Sequence, residues 1–435
     1  MTRPIAVDIF AGAGGLSLGL EQAGFDVVAA IEVDPVHCAV HEFNFPDCAV
    51  ICRSAADVTG AEIRAALAEQ GNDRDAEIDL VCGGPPCQGF SLMGKRVLDD
   101  PRNALASHFL RLVRELQPKY FVMENVKGMA IGKHRQFLRE AIEACAAMGY
   151  RVVEPYQVLN AACYGVPQHR ERLFLLGARE GLPLPNYPEP ISQPAGRKPK
   201  KSAAKSKKSA AKTPNSPTVR DAIGDIPDAD KFRGLLDRDA IAAELGAPSD
   251  YARTLRDPSG EPGNFAYMRH FDPGLLTDSL RTNHSAKSIA RFKKTEPGHK
   301  EPVSRFHKLD PDGVSNTLRA GTPSTRGAFT SPRPIHYGPP RCITIREAAR
   351  LHSYPDWFRF HATKWHGGRQ IGNSVPPRLG RAVGGAIVEA LGVTPSRPTR
   401  AIVPGDKALL TLTMTHAAAR YGVSPDVVPQ RDRVK

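Results

Sequence analysis

The 435 residues carry 59 Lys and Arg against 46 Asp and Glu, and the formal net charge of +13 points to a polyanionic partner, nucleic acid first. The length permits two or three domains around a sizeable core. Eight scattered cysteines without metal-type spacing argue against disulfides and structural zinc, and no signal segment or apolar run of about 18 residues marks a secreted or membrane-spanning chain, so a reducing cytoplasm is the expected compartment.

In chain order, residues 5–10 read as a strand, 16–24 as a helix, 27–31 as a strand and 62–69 as a helix. Residues 80–81 read as a strand, 108–116 as a helix, 120–123 as a strand and 137–148 as a helix, followed by strands over 152–159 and 173–176. This alternation predicts an α/β fold with a doubly wound, Rossmann-like sheet of mainly parallel strands over residues 1–185. Residues 191–217 hold seven lysines, one arginine and no acid, so 186–217 reads as a basic disordered linker. Residues 218–335 are irregular and rich in Gly, Pro, His and Arg, which suits a second, smaller domain of loops and short strands. Periodicity resumes with helices at 346–351 and 378–391, so 336–392 is expected to complete the first domain, and 393–435 reads as a tail of unclear order.

The loop after the first strand, Asp8-Ile9-Phe10-Ala11-Gly12-Ala13-Gly14-Gly15, opens a helix. Gly12 and Gly14 let backbone approach a ligand at the helix N-terminus, and Phe10 is placed to cover it. Glu32 ends the next strand, where an acid accepts hydrogen bonds from ribose hydroxyls. Alone, these features indicate a nucleoside cofactor and do not choose between a nicotinamide and S-adenosylmethionine. A tight turn with a capping acid is the plainer alternative. Asp57 suits either an adenine amino group or a helix N-cap.

Gly83-Gly84-Pro85-Pro86-Cys87-Gln88-Gly89-Phe90-Ser91 puts Cys87 on a stiffened turn at the carboxyl end of a strand, where open α/β sheets bind ligands. Most cysteines are inert small hydrophobes, but Pro and Gln on both sides make a poor core environment, so Cys87 reads as a nucleophile. Glu124, in Glu124-Asn125-Val126, faces the same crevice from the next strand, where burial would raise its pKa and let it hold or donate a proton. In Gln168-His169-Arg170-Glu171-Arg172, alternation puts Gln168, Arg170 and Arg172 on one face, able to clamp an anion or a base carbonyl, or else to form an exposed, salt-bridged strand end.

These motifs, with Gln370-Ile371-Gly372-Asn373-Ser374-Val375-Pro376-Pro377 and the arginine-rich segment from Arg346 to Asp356, stand in the order seen in the cytosine-5 DNA methyltransferases, which the chain resembles over residues 4–180 and 340–392. The resemblance implies S-adenosylmethionine as cofactor, held by Phe10, Gly12, Gly14, Glu32, Asp57, Pro86, Asn373 and Ser374. It implies Cys87, Glu124, Arg170 and Arg172 as catalytic residues, with Cys87 attacking cytosine C6, and no metal. Duplex DNA would meet Gln88, Ser91, Arg96, Arg102 and Gln168, and 218–335 would be the target-recognition domain, with His270, Asn283, His284, Arg305, His307, Arg319 and Arg326 as candidate contacts. A monomer working beside a cognate restriction endonuclease, nucleoid-associated if bacterial, is the implied setting. Three departures stand out: Pro85 before Pro86-Cys87, Val33 after Glu32, and the lysine-rich insert. The alternatives are an RNA (tRNA) cytosine-5 methyltransferase of the same chemistry and a catalytically silent DNA-binding protein. A nicotinamide dehydrogenase leaves Pro-Pro-Cys-Gln unexplained.

Overall fold

The computed structural model describes residues 3–71, 73, 75–86, 104–130, 135–196, 213–321 and 333–428. Strands β1 (Ile5–Ile9), β2 (Asp26–Glu32), β3 (Ala49–Cys52), β4 (Leu80–Gly83) and β5 (Tyr120–Val126) are parallel. The short β6 (Tyr150–Val152) and β7 (Gln157–Asn160) both pair antiparallel with β8 (Glu171–Arg179), which in turn lies antiparallel to β5. The sheet order is β3-β2-β1-β4-β5-β8-β6, with helices α1 (Gly15–Ala23), α2 (Pro35–Asn44), α3 (Gly60–Glu69), α4 (Ala104–Leu116) and α5 (Arg135–Ala147) as crossovers, so the expected doubly wound sheet is present.

Strand alternation builds a core on each face. On β4, Val81 joins Phe109 of α4 and Phe137 of α5 in one core, while Leu80 and Cys82 join Leu379 and Val383 in the other. The stretch expected as one strand over 152–159 is instead β6 and β7, split around an exposed turn. Within the sheet of residues 1–185 two elements are not legible in the sequence, α2 and β3. The buried His37, His41 and Asn44 hide the apolar face of α2, and β3 has only four residues.

Beyond β8 the chain wraps the sheet. Helices α6 (Val219–Ile223) and α7 (Asp250–Arg256) share a core with Ala11, Leu18 and Phe45 of the first domain. Strand β9 (Ile241–Ala242) precedes β10 (Met268–Arg269), and β11 (Leu275–Leu276) pairs back with β9. Helix α8 (Ala286–Lys294) packs Phe292 against Ile335 and Cys342, the small separate core of the irregular region. Helices α9 (Ile345–Leu351), α10 (Lys364–Asn373) and α11 (Pro377–Leu391) then return to the sheet. Strand β12 (Ala401–Ile402) pairs with β10, and α12 (Met414–Tyr421) lies on α2, where Tyr421 donates to Glu42 at 2.6 Å.

Apolar residues of α6 and α7 belong to the same cluster as Ala11, Leu18 and Phe45 and as Leu309, Leu318 and Trp357. The tail is ordered through 428 and clamps both the sheet domain and the central region. The flanks of the basic tract are neighbours: Gln193 N–H donates to the Pro214 carbonyl at 2.9 Å, and Ser216 N–H donates back to the Gln193 carbonyl at 2.7 Å. The described flanks of the tract thus lie side by side. Its residues 197–212 lie outside the described residues.

Helix α11 is held by close backbone contact. A Cβ at Gly19 of α1 would stand 2.7 Å from Gly380 Cα, and one at Gly384 would stand 2.9 Å from Ala23 Cβ. Three glycines thus bring α1 and α11 together, which is how the C-terminal segment reaches the glycine loop.

Candidate active site

Strands β4 and β5 end side by side, with Gly83 opposite Met123, so the turn leaving β4 meets Glu124. The Glu124 carboxylate is almost fully buried, and burial raises its pKa against the opposing pull of Arg172 and Arg170. Asn125 Nδ2 donates to the Pro85 carbonyl at 2.9 Å, tying the strand to the Pro-Pro turn. Pro85 is buried and Pro86 is exposed. Cys87, Gln88, Ser91, Arg96 and Arg102 lie outside the described residues.

Antiparallel pairing brings Arg172 of β8 opposite Val126 of β5. From there its Nε reaches Glu124 Oε1 at 2.8 Å, with both side chains about one-tenth exposed. An ion pair this shielded fixes the carboxylate and leaves its second oxygen available.

Arg170 and Gln168 are placed differently from the expectation. Arg170 is fully buried, and its two terminal nitrogens donate to the carbonyls of Leu318 and Gly372, each at 2.9 Å. Gln168 is also fully buried: its Oε1 accepts from Leu318 N–H at 3.1 Å, and its Nε2 donates to the Leu351 carbonyl at 3.2 Å and lies 2.9 Å from His352 Nδ1. Gln168, expected as a DNA contact, and Arg170, expected as a catalytic residue, are thus both buried and spent on protein partners, which leaves neither facing the crevice. Alternation gave their shared face correctly, but residues 315–318 cover it through the Gln168–Ser315 bridge.

The glycine loop carries its own signs of a binding site. Phe10 sits at φ 65°, a left-handed backbone costly for a bulky residue and concentrated at functional sites. At Gly12, φ is 58° and a Cβ would meet nothing within 4 Å, so the loop faces open space. Gly14, at φ 98°, is the N-cap of α1 and makes no side-chain cap. The Glu32 carboxylate accepts from the backbone N–H groups of Gly12 (2.9 Å), Val33 (3.0 Å) and Asp34 (2.9 Å). A carboxylate has about four acceptor positions, so one remains. Asp57 is exposed and is not an N-cap, since Thr59 caps α3 with Glu62 closing a capping box. Asn373 is exposed and Ser374 half-buried at the end of α10, with the Ser374 hydroxyl donating to the Ile371 carbonyl at 2.9 Å.

Beneath the loop lies a cluster that the sequence reading missed. Asp8 is buried, accepts from Ser17 Oγ at 2.6 Å, and has its pKa pushed up to about 7 by burial. Ser17 Oγ also lies 3.1 Å from His41 Nε2, whose ring burial pushes down to about 3. The cluster's trace in the sequence is an acid, Asp8, inside the apolar strand 5–10.

A family model for C-5 cytosine-specific DNA methylases matches residues 5–389. The type II methyltransferase M.XorII of Xanthomonas oryzae pv. oryzae is 59% identical over 433 residues, covering 100% of this chain and 96% of that protein. M.AgeI of Thalassovita gelatinovora is 32% identical, covering 88% of this chain and 99% of its own. Among solved structures, one described as a DNA modification methyltransferase encoded within an E. coli prophage superposes with a TM-score of 0.69 at 30% identity, covering 90% of this chain and 100% of that one. S. pombe Dnmt2, at 17% identity and a TM-score of 0.52 over 90% of this chain and 100% of its own, shares the fold.

Proposed function

The chain belongs to the C-5 cytosine-specific DNA methylases, and from that premise we propose that it methylates a cytosine swung out of duplex DNA, with Cys87 as nucleophile and S-adenosylmethionine as methyl donor. The observation that carries this reading is the shielded Arg172–Glu124 pair at the mouth of the Pro-Pro-Cys turn. The glycine loop fits the donor. Gly12 opens onto free space, Glu32 keeps one acceptor position at the end of β2, and α1 presents uncapped N–H groups. Phe10, Gly12, Gly14, Glu32, Asp57, Pro86, Asn373 and Ser374 are the residues proposed to hold it. When bound, S-adenosylmethionine supplies an electrophilic methyl group.

Cytosine C5 is a weak nucleophile, and the target is out of reach inside a duplex, so the base is extruded first. The Cys87 thiolate adds to C6, which makes C5 electron-rich. Glu124, whose raised pKa favours the protonated form, hydrogen-bonds N3 and the exocyclic amine and delivers a proton as negative charge builds on the ring. Arg172 orients Glu124 and faces O2. Once C5 has taken the methyl group, transfer of its proton to solvent water expels the Cys87 thiolate, and N3 returns its proton to Glu124. Gln88, Ser91, Arg96 and Arg102 are proposed to contact DNA beside the extruded base.

The curated relatives M.XorII and M.AgeI are named type II methyltransferases, so a partner endonuclease cutting the same sequence is the proposed biological setting. None of the described helices is long and apolar enough to cross a membrane. Transfer of a tritiated methyl group from S-adenosylmethionine to duplex DNA, but not to tRNA, is the expected result. Transfer to tRNA alone would move the substrate to RNA, and transfer to neither would leave a binding protein.

A further inference from the structure

The turn that carries Asp57 leaves the carboxyl end of β3 beside the end of β2, where Cys52 stands opposite Glu32 in the parallel register. The Asp57 N–H closes the turn by donating to the Ser54 carbonyl at 2.9 Å. Three carbonyls of the turn accept from arginines: those of Ala55 and Val58 from Arg111 Nη2, at 2.6 and 2.9 Å, and that of Asp57 from Arg53 Nη2. Ala55 and Val58 are buried, while Asp57 itself is exposed. A carboxylate on so short a turn stands in one place only if the backbone beneath it is held.

Of the two arginines, Arg111 is the stronger holder. The Arg53 side chain is 44% exposed and pairs with a Glu62 that is 46% exposed, so water weakens that pair. Arg111, on α4, is 23% exposed and engaged at all three nitrogens. Its Nη1 pairs with Glu115 Oε1 at 2.7 Å, one turn later, and its Nε lies 3.5 Å from His108 Nδ1, one turn earlier. Glu115 in turn accepts from the Gly60 N–H, at the start of α3, at 2.7 Å. A Cβ at Gly60 would stand 2.8 Å from Glu115 Cβ, so α3 and α4 touch with no slack. Arg111 and Glu115 thus grip both ends of the segment 55–60. The guanidinium presents its donors in one fixed plane, so the spacing of the two carbonyls it holds is fixed as well.

We propose that Arg111 is a positioning residue for cofactor binding: it sets the Asp57 turn, and through it the carboxylate that meets the adenine amino group of S-adenosylmethionine. The inference rests on the S-adenosylmethionine reading above. Arg111 acts through the backbone of residues 55–58, and the methyl-transfer step itself does not call on it.

The test is the affinity of the full chain for S-adenosylhomocysteine, measured by calorimetry, together with steady-state methyl transfer to duplex DNA. Arg111→Met keeps the stem and removes the donors. It should weaken S-adenosylhomocysteine binding and raise the KM for S-adenosylmethionine by about tenfold, with kcat at saturating cofactor within about twofold of wild type. Arg111→Lys keeps a cation against Glu115, which secures the fold if the Met variant is unstable, and should fall between, about threefold weaker than wild type. Arg114→Met removes an exposed cation from the same helix and should bind as wild type does. A double-mutant cycle reads the route through Asp57. Asp57→Ala should weaken binding by itself, and adding Arg111→Met should cost less than about twofold more. Unchanged affinity in both Arg111 variants, a loss in kcat with KM unmoved, or a full tenfold loss on the Asp57→Ala background overturns the positioning role while the methyltransferase reading stands. A wild-type protein that binds no S-adenosylhomocysteine overturns the cofactor reading and this inference with it.

Discussion

The Glu124 carboxylate occupies the space that a side chain at Gly84 would need: a Cβ there would stand 2.6 Å from Glu124 Oε2. The glycine of Gly-Pro-Pro-Cys and the acid of Glu-Asn-Val are thus two halves of one contact. Arg172 holds the other oxygen of the same carboxylate.

Gly84→Ala should therefore displace Glu124 and lower kcat by at least about tenfold, roughly 1.4 kcal/mol of barrier. S-adenosylhomocysteine affinity should stay near wild type. Gly128→Ala is the matched control, since its Cβ would have no neighbour nearer than 4.0 Å. Equal activity in both variants would show that the contact does not position the carboxylate.

Gly19→Ala should cost about 1–3 kcal/mol through overpacking against Gly380, outweighing the better helix propensity of alanine. At Gly385, also on α11, a Cβ meets nothing within 4 Å, so Gly385→Ala should be neutral or stabilising by up to about 1 kcal/mol. Thermal melting of the two variants reads the difference. A Gly19→Ala protein as stable as wild type would mean that α1 and α11 separate readily.

Asp8 and His41 give stability opposite pH dependences. The folded Asp8 carboxyl titrates near 7 instead of 3.8, so its protonated form is favoured on folding, and that stability is lost as pH rises from 3.8 through 7. His41 titrates near 3 instead of 6.5, so its contribution is lost as pH falls through that window. Wild-type stability should be comparatively flat between, as the two slopes oppose. Asp8→Asn removes one slope, so its melting temperature relative to wild type should climb from pH 4 to pH 7, by up to ~4 kcal/mol in stability. A pH-independent difference would place Asp8 outside the titration.

Replacing residues 197–212 by a short Gly-Ser bridge should leave the fold and the methylated sequence unchanged, because the flanking Gln193 and Ser216 are already paired with each other. The salt dependence of DNA binding should flatten, since each phosphate neutralised adds nearly one unit of slope. Methylation-sensitive sequencing of a host carrying the shortened protein reads the first outcome. A different methylated sequence would make the tract part of the reading surface.

The catalytic half of the fold was legible because its apolar runs are short, regular and punctuated by glycine. β1, α1, β2, β4 and β5 fall where alternation put them, and so does Glu124. α2 was not, because a helix that buries His37, His41 and Asn44 has no clean apolar stripe. The roles of Gln168 and Arg170 were illegible for another reason. Period two says which residues share a face, and nothing in it says that Ser315 and Leu318 return from far along the chain to cover that face. The tail's order has the same origin: its partners, Glu42 on α2 and Met268 on β10, are remote in sequence.

Covalent capture on DNA tests the catalytic proposal most directly. In a duplex whose cytosines are replaced by 5-fluorocytosine, the adduct formed at C6 cannot lose its C5 substituent, so Cys87 cannot leave. With S-adenosylmethionine present, the wild-type protein should form a denaturation-resistant protein–DNA complex whose peptide mass maps to Cys87, and Cys87→Ser should form none while still binding the duplex. A wild-type protein that methylates DNA yet forms no such complex, or an adduct that persists in Cys87→Ser, would contradict the covalent mechanism.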